Sequence, residues 1–410
     1  MIRDKNIICF ASGWDYHPTS KHHVMRRLAE HNNVIWVNWH ASRRPSLGLN
    51  DLKTIAGKLR QIRRGPRQAG EQLTVVTPPQ VPLPRSTWAR KLNARVVRRA
   101  IHRILRQLPD RPAQIWSFAP DIVDLVGGFN EELVLYYCVD AFGEFPGYDR
   151  DLIDHLETAL IARSDVVLTT SQPLYETKRA LHPNVHFVQH GVDHRRLSRA
   201  VRENLPIPRD LLALPKPVLG FVGVVGEWVD LDLVMGLARQ RPEASIVISG
   251  PLTTSKPPLA HPPNVHWLGA RGHDVLPCYL RGFDVGLIPF CKVPLTHNAN
   301  PIKLYEYLAA GVPVVSTSLP AVHPIPGSVW LADDAETTAR YCDAALANNQ
   351  PEARKHRSEL MAAESWEARL DQIDGIVQNT LRDRAISALP ARTENGEDKT
   401  LPRATLAYST

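Results

Sequence analysis

The chain of 410 residues is longer than a usual single domain, and its 43% apolar and 22% charged residues are typical of a globular protein. This length predicts two domains of about 170 to 200 residues, each with its own core. The five cysteines are scattered without a CxxC pair, which argues against a zinc site and indicates a reducing compartment. No apolar run approaches the roughly 18 residues of a membrane-spanning helix, and a strand-like start argues against a signal peptide.

The net charge of +7 is unevenly distributed along the chain. Residues 43–111 contain 17 Lys or Arg but only three acidic residues, which predicts one strongly basic face on the first domain. Within this segment, residues 88–108 place apolar side chains at helical spacing among basic ones. The pattern fits a helix on a sheet with a solvated basic face, and it also fits contact with anionic lipid headgroups. Nucleic acid is not expected as a partner, because no binding motif or aromatic interleaving accompanies the charge.

The first half of the chain alternates strand-like and helix-like segments. Candidate strands lie at residues 7–12, 34–39, 73–77, 114–118, 133–139, 166–171 and 185–190, and candidate helices near 21–30, 88–108, 151–162 and 173–180. Such alternation predicts a parallel sheet with helices on both faces, in which ligands bind at the carboxyl ends of the strands. The first domain is predicted to span residues 1–195.

Polar residues follow three of these strands. Gly13, His17 and Lys21 come after the first strand, and His190 follows the last, so we expect them to line a cleft, although an ordinary surface loop fits the first three equally well. Asp140 directly follows a buried strand and is either a site residue or a turn carboxylate.

The second half repeats the alternation. Residues 196–217 contain four prolines and are predicted to be an interdomain linker. Candidate strands then lie at 218–224, 245–249, 265–268, 285–289, 312–317 and 329–331, within a second domain spanning residues 218–363. An amphipathic helix is predicted at 364–384, and the polar, aperiodic residues 385–410 are predicted to be disordered.

The stretch NANPIKLYEYLAAGVPVVST at residues 298–317 is the most informative. Asn300 is a favourable N-cap and Pro301 suits the first turn, so a helix is predicted to begin there and to end at Gly311 before a buried strand. The alternative is an αβ unit with no ligand.

A helix N-terminus at Ile302 would direct free backbone N–H groups and a partial positive charge at a phosphate. Lys303 adds a full charge in the first turn, and Glu306, one turn later, can accept two hydroxyl hydrogen bonds. The pattern therefore predicts a site for a ribose diphosphate.

At this point the sequence resembles a known family. Glu306, Ala309, Gly311, Pro313 and Val314 match the end of the motif E-A-x-A-x-G-x-P-V in retaining glycosyltransferases of the GT-B fold, family four and its relatives. The resemblance implies that the glutamate binds the donor ribose. Eight positions earlier the family has a second glutamate, where this chain has Asn298, which can bond a sugar hydroxyl but carries no charge.

The stretch FVGVVGEWVDLDL after the first strand of the second domain departs from the family. It lacks the Arg and Lys that clamp the donor diphosphate there, although Gly223 and Gly226 would let the backbone approach closely. Its pattern GxxxEWxDxDL resembles a branch of surface-polysaccharide glycosyltransferases that includes teichuronic-acid biosynthesis proteins. Asp230 and Asp232 spell DLD, but they precede a predicted helix and are interpreted as capping residues rather than metal ligands.

The resemblance implies an α/β protein of the GT-B class, with two doubly wound Rossmann-like domains facing each other across a cleft and a last helix that returns to the first domain. It implies transfer of a sugar, with retention, from a nucleotide-sugar of the UDP or GDP type to a lipid-linked or polysaccharide acceptor, without cofactor or metal. Asp140, Asn298 and Lys303 are the predicted catalytic residues. The expected location is cytoplasmic, peripheral on the inner face of the plasma membrane.

Two alternatives remain open at this stage. A nucleotide-sugar epimerase shares this fold and would need acid and base groups in the cleft. A non-catalytic GT-B scaffold at the membrane would account for the missing clamp and for Asn298.

Overall fold

We analysed a computed structural model, which describes residues 1–16, 18–39, 62–254 and 261–387. The predicted site residue His17 and the predicted disordered tail beyond residue 387 lie outside the described residues. Within them, no helix combines the length and the apolar character needed to cross a membrane.

The first domain contains a sheet of eight strands in the order β3-β4-β2-β1-β5-β6-β7-β8, parallel except for the β3–β4 hairpin. The strands are β1 (Asn6–Ala11), β2 (Asn33–Asn38), β3 (Arg67–Gly70), β4 (Leu73–Val76), β5 (Ala113–Ser117), β6 (Glu131–Cys138), β7 (Val166–Thr169) and β8 (Val185–Phe187). Its helices are α1 (Ser20–Leu28), α2 (Thr87–Leu105), α3 (Arg150–Ile161) and α4 (Gln172–Arg179). The central strands are buried on both faces, as their continuous apolar runs predict.

The second domain contains a parallel sheet of six strands in the order β11-β10-β9-β12-β13-β14. The strands are β9 (Val218–Val222), β10 (Ser245–Ser249), β11 (Val265–Trp267), β12 (Val285–Ile288), β13 (Val314–Ser316) and β14 (Val329–Leu331). Its helices are α5 (His194–Leu197), α6 (Arg199–Arg202), α7 (Arg209–Leu212), α8 (Leu231–Gln240), α9 (Leu276–Gly282), α10 (Pro294–His297), α11 (Ile302–Ala309), α12 (Ala335–Ala347) and α13 (Pro351–Leu360).

In both sheets the strand order reverses at the central strand. β1 lies between β2 and β5, and β9 lies between β10 and β12, so each sheet has a topological switch point where a crevice opens at the carboxyl ends of the strands. The two doubly wound α/β domains predicted from the sequence are therefore confirmed.

The segment predicted as a linker is packed rather than extended. Residues 196–217 form short helical turns, and Leu197, Ala200 and Leu211 are buried in the core of the second domain. Pro208 precedes the turn Arg209–Leu212 as its N-cap, and the burial of the segment's apolar side chains holds it against the domain.

The last helix, α14 (Trp366–Ser387), returns to the first domain. Trp366, Ile373 and Val377 are fully buried in a core cluster that also contains residues of β1 and α1. The backbone N–H of Val192 donates to Glu364 O at 2.9 Å, and that of Trp366 donates to Val192 O at 3.1 Å. The helix therefore fastens the end of the second domain to the first.

Gly191, in the sequence HGVD that follows β8, is required by packing against the last helix. Gly191 has no positive φ, but a Cβ there would lie 2.8 Å from Cδ2 and 2.9 Å from Cα of Trp366. Glycine is required because the last helix approaches the backbone of this segment closely.

Candidate functional site

The helix α11 and the loop before it form one wall of the interdomain cleft. Pro301 occupies the N-cap position with an extended backbone, and helical geometry starts at Ile302. The helix ends as predicted, because Gly311 follows it with φ of +74°, a left-handed conformation that favours glycine.

The predicted N-cap role of Asn300 is wrong. Its side chain instead bridges the two domains, since Nδ2 donates to the Thr170 carbonyl at 2.8 Å and to the Tyr305 hydroxyl at 3.2 Å. Asn300 is 4% exposed, and its Oδ1 is buried without a hydrogen-bond partner. The physical reason is that the helix begins after Pro301, one residue later than an Asn300 cap requires.

Lys303 and Glu306 form a buried ion pair on α11. Lys303 Nζ lies 2.8 Å from Glu306 Oε2, with the side chains 13% and 6% exposed. Glu306 Oε1 lies 3.9 Å from Nε2 of His273, a residue of the loop after β11. The helical spacing that was predicted to place both residues together is present, and in this structure each charge partly neutralises the other.

The opposite wall belongs to the first domain. Asp140 lies two residues after the end of β6 at Cys138 and is half-buried in the cleft. Burial raises the pKa of its carboxyl to about 6, and the Lys21 ammonium limits this rise. Burial likewise lowers the pKa of Lys21, opposed by the negative charge of Asp140. These two predicted site residues therefore lie within electrostatic reach of one another.

A cavity of about 280 Å³ lies between these walls. Six of the predicted site residues line it, namely Asp140, Gly223, Asn300, Pro301, Ile302 and Lys303. Among the described residues that line the cavity, Lys303 carries the only positive charge. The Arg and Lys that the sequence lacks after β9 are therefore replaced in this cavity lining by Lys303 alone.

The predicted site residues Gly13, His190, Asn298 and Gly226 do not line the cavity. His190 is 8% exposed, packs edge-on against Trp366 at 6.3 Å, and has its pKa lowered to about 4 by burial and then by Arg369. Gly13 packs against the ring of Tyr16, and a Cβ at position 13 would lie 3.2 Å from Cε2 of that ring. Neither lines the cavity.

Asn298 ends the short helix α10 and turns back on it. Its Nδ2 donates to Pro294 O at 2.8 Å, while its backbone carbonyl accepts a hydrogen bond of 2.6 Å from the Ser171 hydroxyl of the first domain. Its carbonyl therefore joins Asn300 in connecting the two domains, and its side chain is not among the groups that line the cavity.

Gly226 is not among the residues that line the cavity, and the structure shows a packing reason for this glycine. A Cβ at this position would lie 2.4 Å from Cζ3 of Trp228, so the residue makes room for the indole ring. The Trp228 backbone is held in turn, because the Cys291 N–H donates to the Trp228 carbonyl at 2.9 Å.

The sequence analysis missed the aromatic lining of the cleft. Phe145 of the first domain meets Trp228 of the second in a T-shaped contact of 6.2 Å, and Phe221 meets Phe290 at 6.2 Å in the same geometry. All four rings line the cavity. The available signal was that Phe145, Trp228 and Phe290 lie in loops after strands, where an apolar side chain is not needed for the core.

A second set of missed residues connects the last helix to Glu306. His23 stacks on Trp366 with ring centroids 5.4 Å apart and lies 5.6 Å from His273. Burial, followed by the charge of His273, lowers the pKa of His23 strongly, so it is neutral at physiological pH. Through His273, whose Nε2 lies 3.9 Å from Glu306 Oε1, these rings link the last helix to Glu306.

The capping role predicted for Asp230 of the DLD sequence is confirmed. Asp230 caps α8 through a hydrogen bond of 2.8 Å from the Leu233 N–H. In the part of the chain that the structure describes, no cluster of three His, Cys, Asp or Glu side chains is placed to hold a metal ion.

Comparison with known proteins agrees with this architecture. Residues 216–348 match the model of a family described as Glycosyl transferases group 1. A protein of Bacillus subtilis (strain 168), provisionally named the teichuronic acid biosynthesis glycosyltransferase TuaH, is 29% identical over 223 residues, which cover 50% of this chain and 56% of the relative. The chain thus spans about half the length of the curated relative that it matches.

Solved structures with the same fold cover almost the whole chain. HepE of Anabaena, in complex with UDP-glucose, superposes with a TM-score of 0.61 at 10% identity over 91% of this chain and 99% of that one. A UDP-forming trehalose-phosphate synthase of Burkholderia xenovorans has a TM-score of 0.60 at 13% identity over 94% and 100%. These findings confirm the GT-B fold and, for the second domain, the resemblance to group 1 glycosyltransferases.

Proposed function

We propose that this chain, whose second domain matches the group 1 glycosyltransferases, transfers a sugar from a UDP- or GDP-linked donor to a lipid-linked or polysaccharide acceptor. The observation that carries the proposal is the placement of α11. Its N-terminus and Lys303 face a cavity between two doubly wound domains, and Glu306 stands one turn behind. A donor site at the carboxyl ends of the strands is where this fold class binds nucleotides.

The donor diphosphate would bind at the start of α11. The free N–H groups of the first turn and the Lys303 ammonium supply the positive potential that a diphosphate needs. Lys303 Nζ donates to Glu306 Oε2 at 2.8 Å, and binding of a diphosphate would transfer the ammonium to phosphate and leave Glu306 to accept the ribose hydroxyls. The relatives of this fold that are solved with UDP-glucose support a nucleotide-sugar as the ligand.

The reaction itself requires the C1–O bond to the diphosphate to break and a bond from the acceptor oxygen to C1 to form. With retention, the acceptor hydroxyl would attack from the face that the diphosphate leaves, and its proton would pass to the departing phosphate. The developing negative charge would rest on α11 and Lys303 rather than on a metal ion or cofactor. Asp140, across the cavity, would accept a hydrogen bond from the acceptor hydroxyl.

Contact between the domains supports this assignment. Asn300 bonds Thr170, and the Asn298 carbonyl bonds Ser171, so the loop that precedes α11 is fastened across the cleft. Closure of this kind excludes water, which would otherwise hydrolyse the donor.

The acceptor side carries a surface suited to an anionic bilayer. On α2, Lys91, Arg95, Arg99 and Arg103 recur at every fourth position and are all exposed. The neighbouring Trp88 is 60% exposed, which adds an aromatic group of the kind found at membrane interfaces. Anionic headgroups match this charge, and a lipid-linked acceptor would place the enzyme on the inner face of the plasma membrane as a peripheral protein.

The proposal is tested by a thermal-shift panel with UDP, GDP and their sugars. A ligand at about 100 times its dissociation constant should add about 2.7 kcal/mol to the free energy of unfolding of the wild type. This gain should be lost in Glu306→Ala and Lys303→Ala. The matched controls are Glu352→Ala and Lys355→Ala, which remove an exposed carboxylate and an exposed ammonium of α13.

The result also separates the competing functions. A response that is retained in both α11 variants would show that the donor site lies elsewhere. Stabilisation by no nucleotide at all would favour the non-catalytic scaffold, and interconversion of a nucleotide-sugar without acceptor would favour the epimerase.

A further inference from the structure

The cavity between the domains is unusually apolar for a site that is to hold a polyhydroxylated sugar. Of the residues that line it, Phe145, Phe221, Trp228 and Phe290 are aromatic, and others are the aliphatic residues Val224, Leu295, Ala299, Pro301 and Ile302. Phe145 and Trp228 come from different domains and touch edge to face at 6.2 Å. An aromatic wall shared by both domains is therefore a property of the closed cleft.

The aromatic wall is held in place by the backbone around it. Gly226 leaves the space that the Trp228 ring occupies, since a Cβ would lie only 2.4 Å from the indole. The Cys291 N–H donates to the Trp228 carbonyl, and Val229 pairs with Phe290 in an antiparallel bridge. The Trp228 backbone and the residue that follows it are therefore both held by backbone pairing, which pre-organises the indole for a ligand.

Few polar groups in the cavity remain for a ligand. The Thr296 hydroxyl is used within its own loop, where it accepts from the Val293 N–H at 3.1 Å. Asn300 Oδ1, in contrast, is buried without a partner in a residue that is 4% exposed, and Asp140 is a second lining residue with acceptor oxygens. Both groups are acceptors, so they suit hydroxyl groups of a ligand rather than its carbonyls.

From this chemistry we infer that the cavity binds the transferred sugar and selects a 6-deoxyhexose. The inference rests on the proposed function, because it assigns the sugar attached to the nucleotide at α11. Ring hydroxyls donate to Asn300 Oδ1 and Asp140, and the C–H face of the ring packs on Trp228. A methyl group at the exocyclic carbon fits the aliphatic and aromatic wall, whereas a hydroxymethyl group would bury a hydroxyl there without a partner.

The test compares donors that differ only at the exocyclic carbon. UDP-glucose is paired with UDP-6-deoxyglucose, and GDP-mannose with GDP-6-deoxymannose, and dissociation constants are measured by isothermal titration calorimetry on the full chain. For the nucleotide that the protein binds, the wild type should prefer the deoxy sugar by roughly 10- to 100-fold, the range over which an apolar pocket discriminates an added hydroxyl.

Two variants remove the aromatic wall from opposite domains. Trp228→Ala and Phe145→Ala should each bring the preference towards equality while the affinity for UDP or GDP alone is unchanged, and Phe145→Ala covers the case in which Trp228→Ala does not fold. Leu212→Ala is the matched control, because it truncates a side chain of the second domain that is 67% exposed and far from the cavity lining. It should keep the wild-type preference.

Two results would overturn the inference. Equal affinity of the wild type for both members of a pair, or an undiminished preference in both aromatic variants, would remove it while leaving nucleotide binding and the proposed function intact. If neither UDP nor GDP binds, the proposed function fails and the sugar subsite fails with it.

Discussion

Replacement of Arg357 by methionine should be one of the most damaging single changes outside the cleft. This guanidinium is 1% exposed and lies beneath the end of α11. Its Nε donates to Gly311 O at 3.0 Å, its Nη1 to Gly327 O at 3.0 Å and to Asn348 O at 2.9 Å, and its Nη2 to Asn349 Oδ1 at 2.8 Å. One side chain thus satisfies four acceptors in three loops of the second domain.

The magnitude follows from those acceptors. Methionine keeps much of the apolar volume but donates no hydrogen bond, and each buried acceptor left unpaired costs about 1–3 kcal/mol. Relaxation and entry of water reduce the total, so we expect a loss of about 3–5 kcal/mol in the free energy of unfolding, comparable to the breaking of a buried charged network. Burial, followed by the charge of Arg354, lowers the pKa of Arg357 to about 10, so the guanidinium is disfavoured there but remains charged at neutral pH.

The assay is urea denaturation followed by circular dichroism, with UDP and GDP binding measured on the folded variant. Arg357→Lys should recover part of the loss, because an ammonium can still reach some of the carbonyls. Arg340→Met, on the exposed face of α12, is the matched control and should lie within about 0.5 kcal/mol of the wild type. A loss below about 1 kcal/mol in Arg357→Met would refute the reasoning that unpaired acceptors dominate.

The remaining predictions concern the two walls of the cleft and the basic face. The pKa of Asp140 is raised from 3.8 to about 6 in the folded protein, so between these pH values the folded protein retains a proton that the unfolded chain releases. The free energy of unfolding should therefore fall as pH rises from about 4 to about 6. Asp140→Asn should flatten this pH dependence in thermal melts. In transfer assays kcat/KM should decline below about pH 6 in the wild type, and an unchanged acid limb in Asp140→Asn would contradict a role for this carboxylate. Gly226→Ala should displace the Trp228 ring, seen as a shift in tryptophan emission, without loss of UDP or GDP binding. Glutamine at all four of the exposed basic positions of α2 should abolish sedimentation with phosphatidylglycerol vesicles, each basic residue contributing about 1 kcal/mol, whereas equal binding to neutral phosphatidylcholine vesicles would exclude the electrostatic mechanism.

Much of this architecture was accessible from local patterns. The apolar runs of β1, β6 and β9 predict buried parallel strands, since a strand covered on both faces has no polar side to display. The spacing of Lys303 and Glu306 predicts that they meet on one helix, and the structure places them 2.8 Å apart. These predictions succeed because both features depend on residues close together in the chain.

The predictions that failed depend on contacts between distant segments. Asn300 resembles an N-cap in sequence, but its amide bonds the Thr170 carbonyl of the other domain. Gly191 likewise must be small because the ring of Trp366, from the last helix, lies against its backbone. No local propensity encodes which ring will arrive there.

The sequence by itself determined the two-domain α/β class, the α11 motif and the lack of an Arg and Lys pair after β9. Each of these depends only on the periodicity or the identity of residues that are neighbours in the chain. Only the tertiary structure decided which aromatic side chains line the cleft. Phe145 and Trp228 are 83 positions apart in the printed sequence, and they meet because two separately folded sheets present their loops to one cleft. The character of a site between domains is set by packing, which a single sequence does not reveal until the domains are placed together.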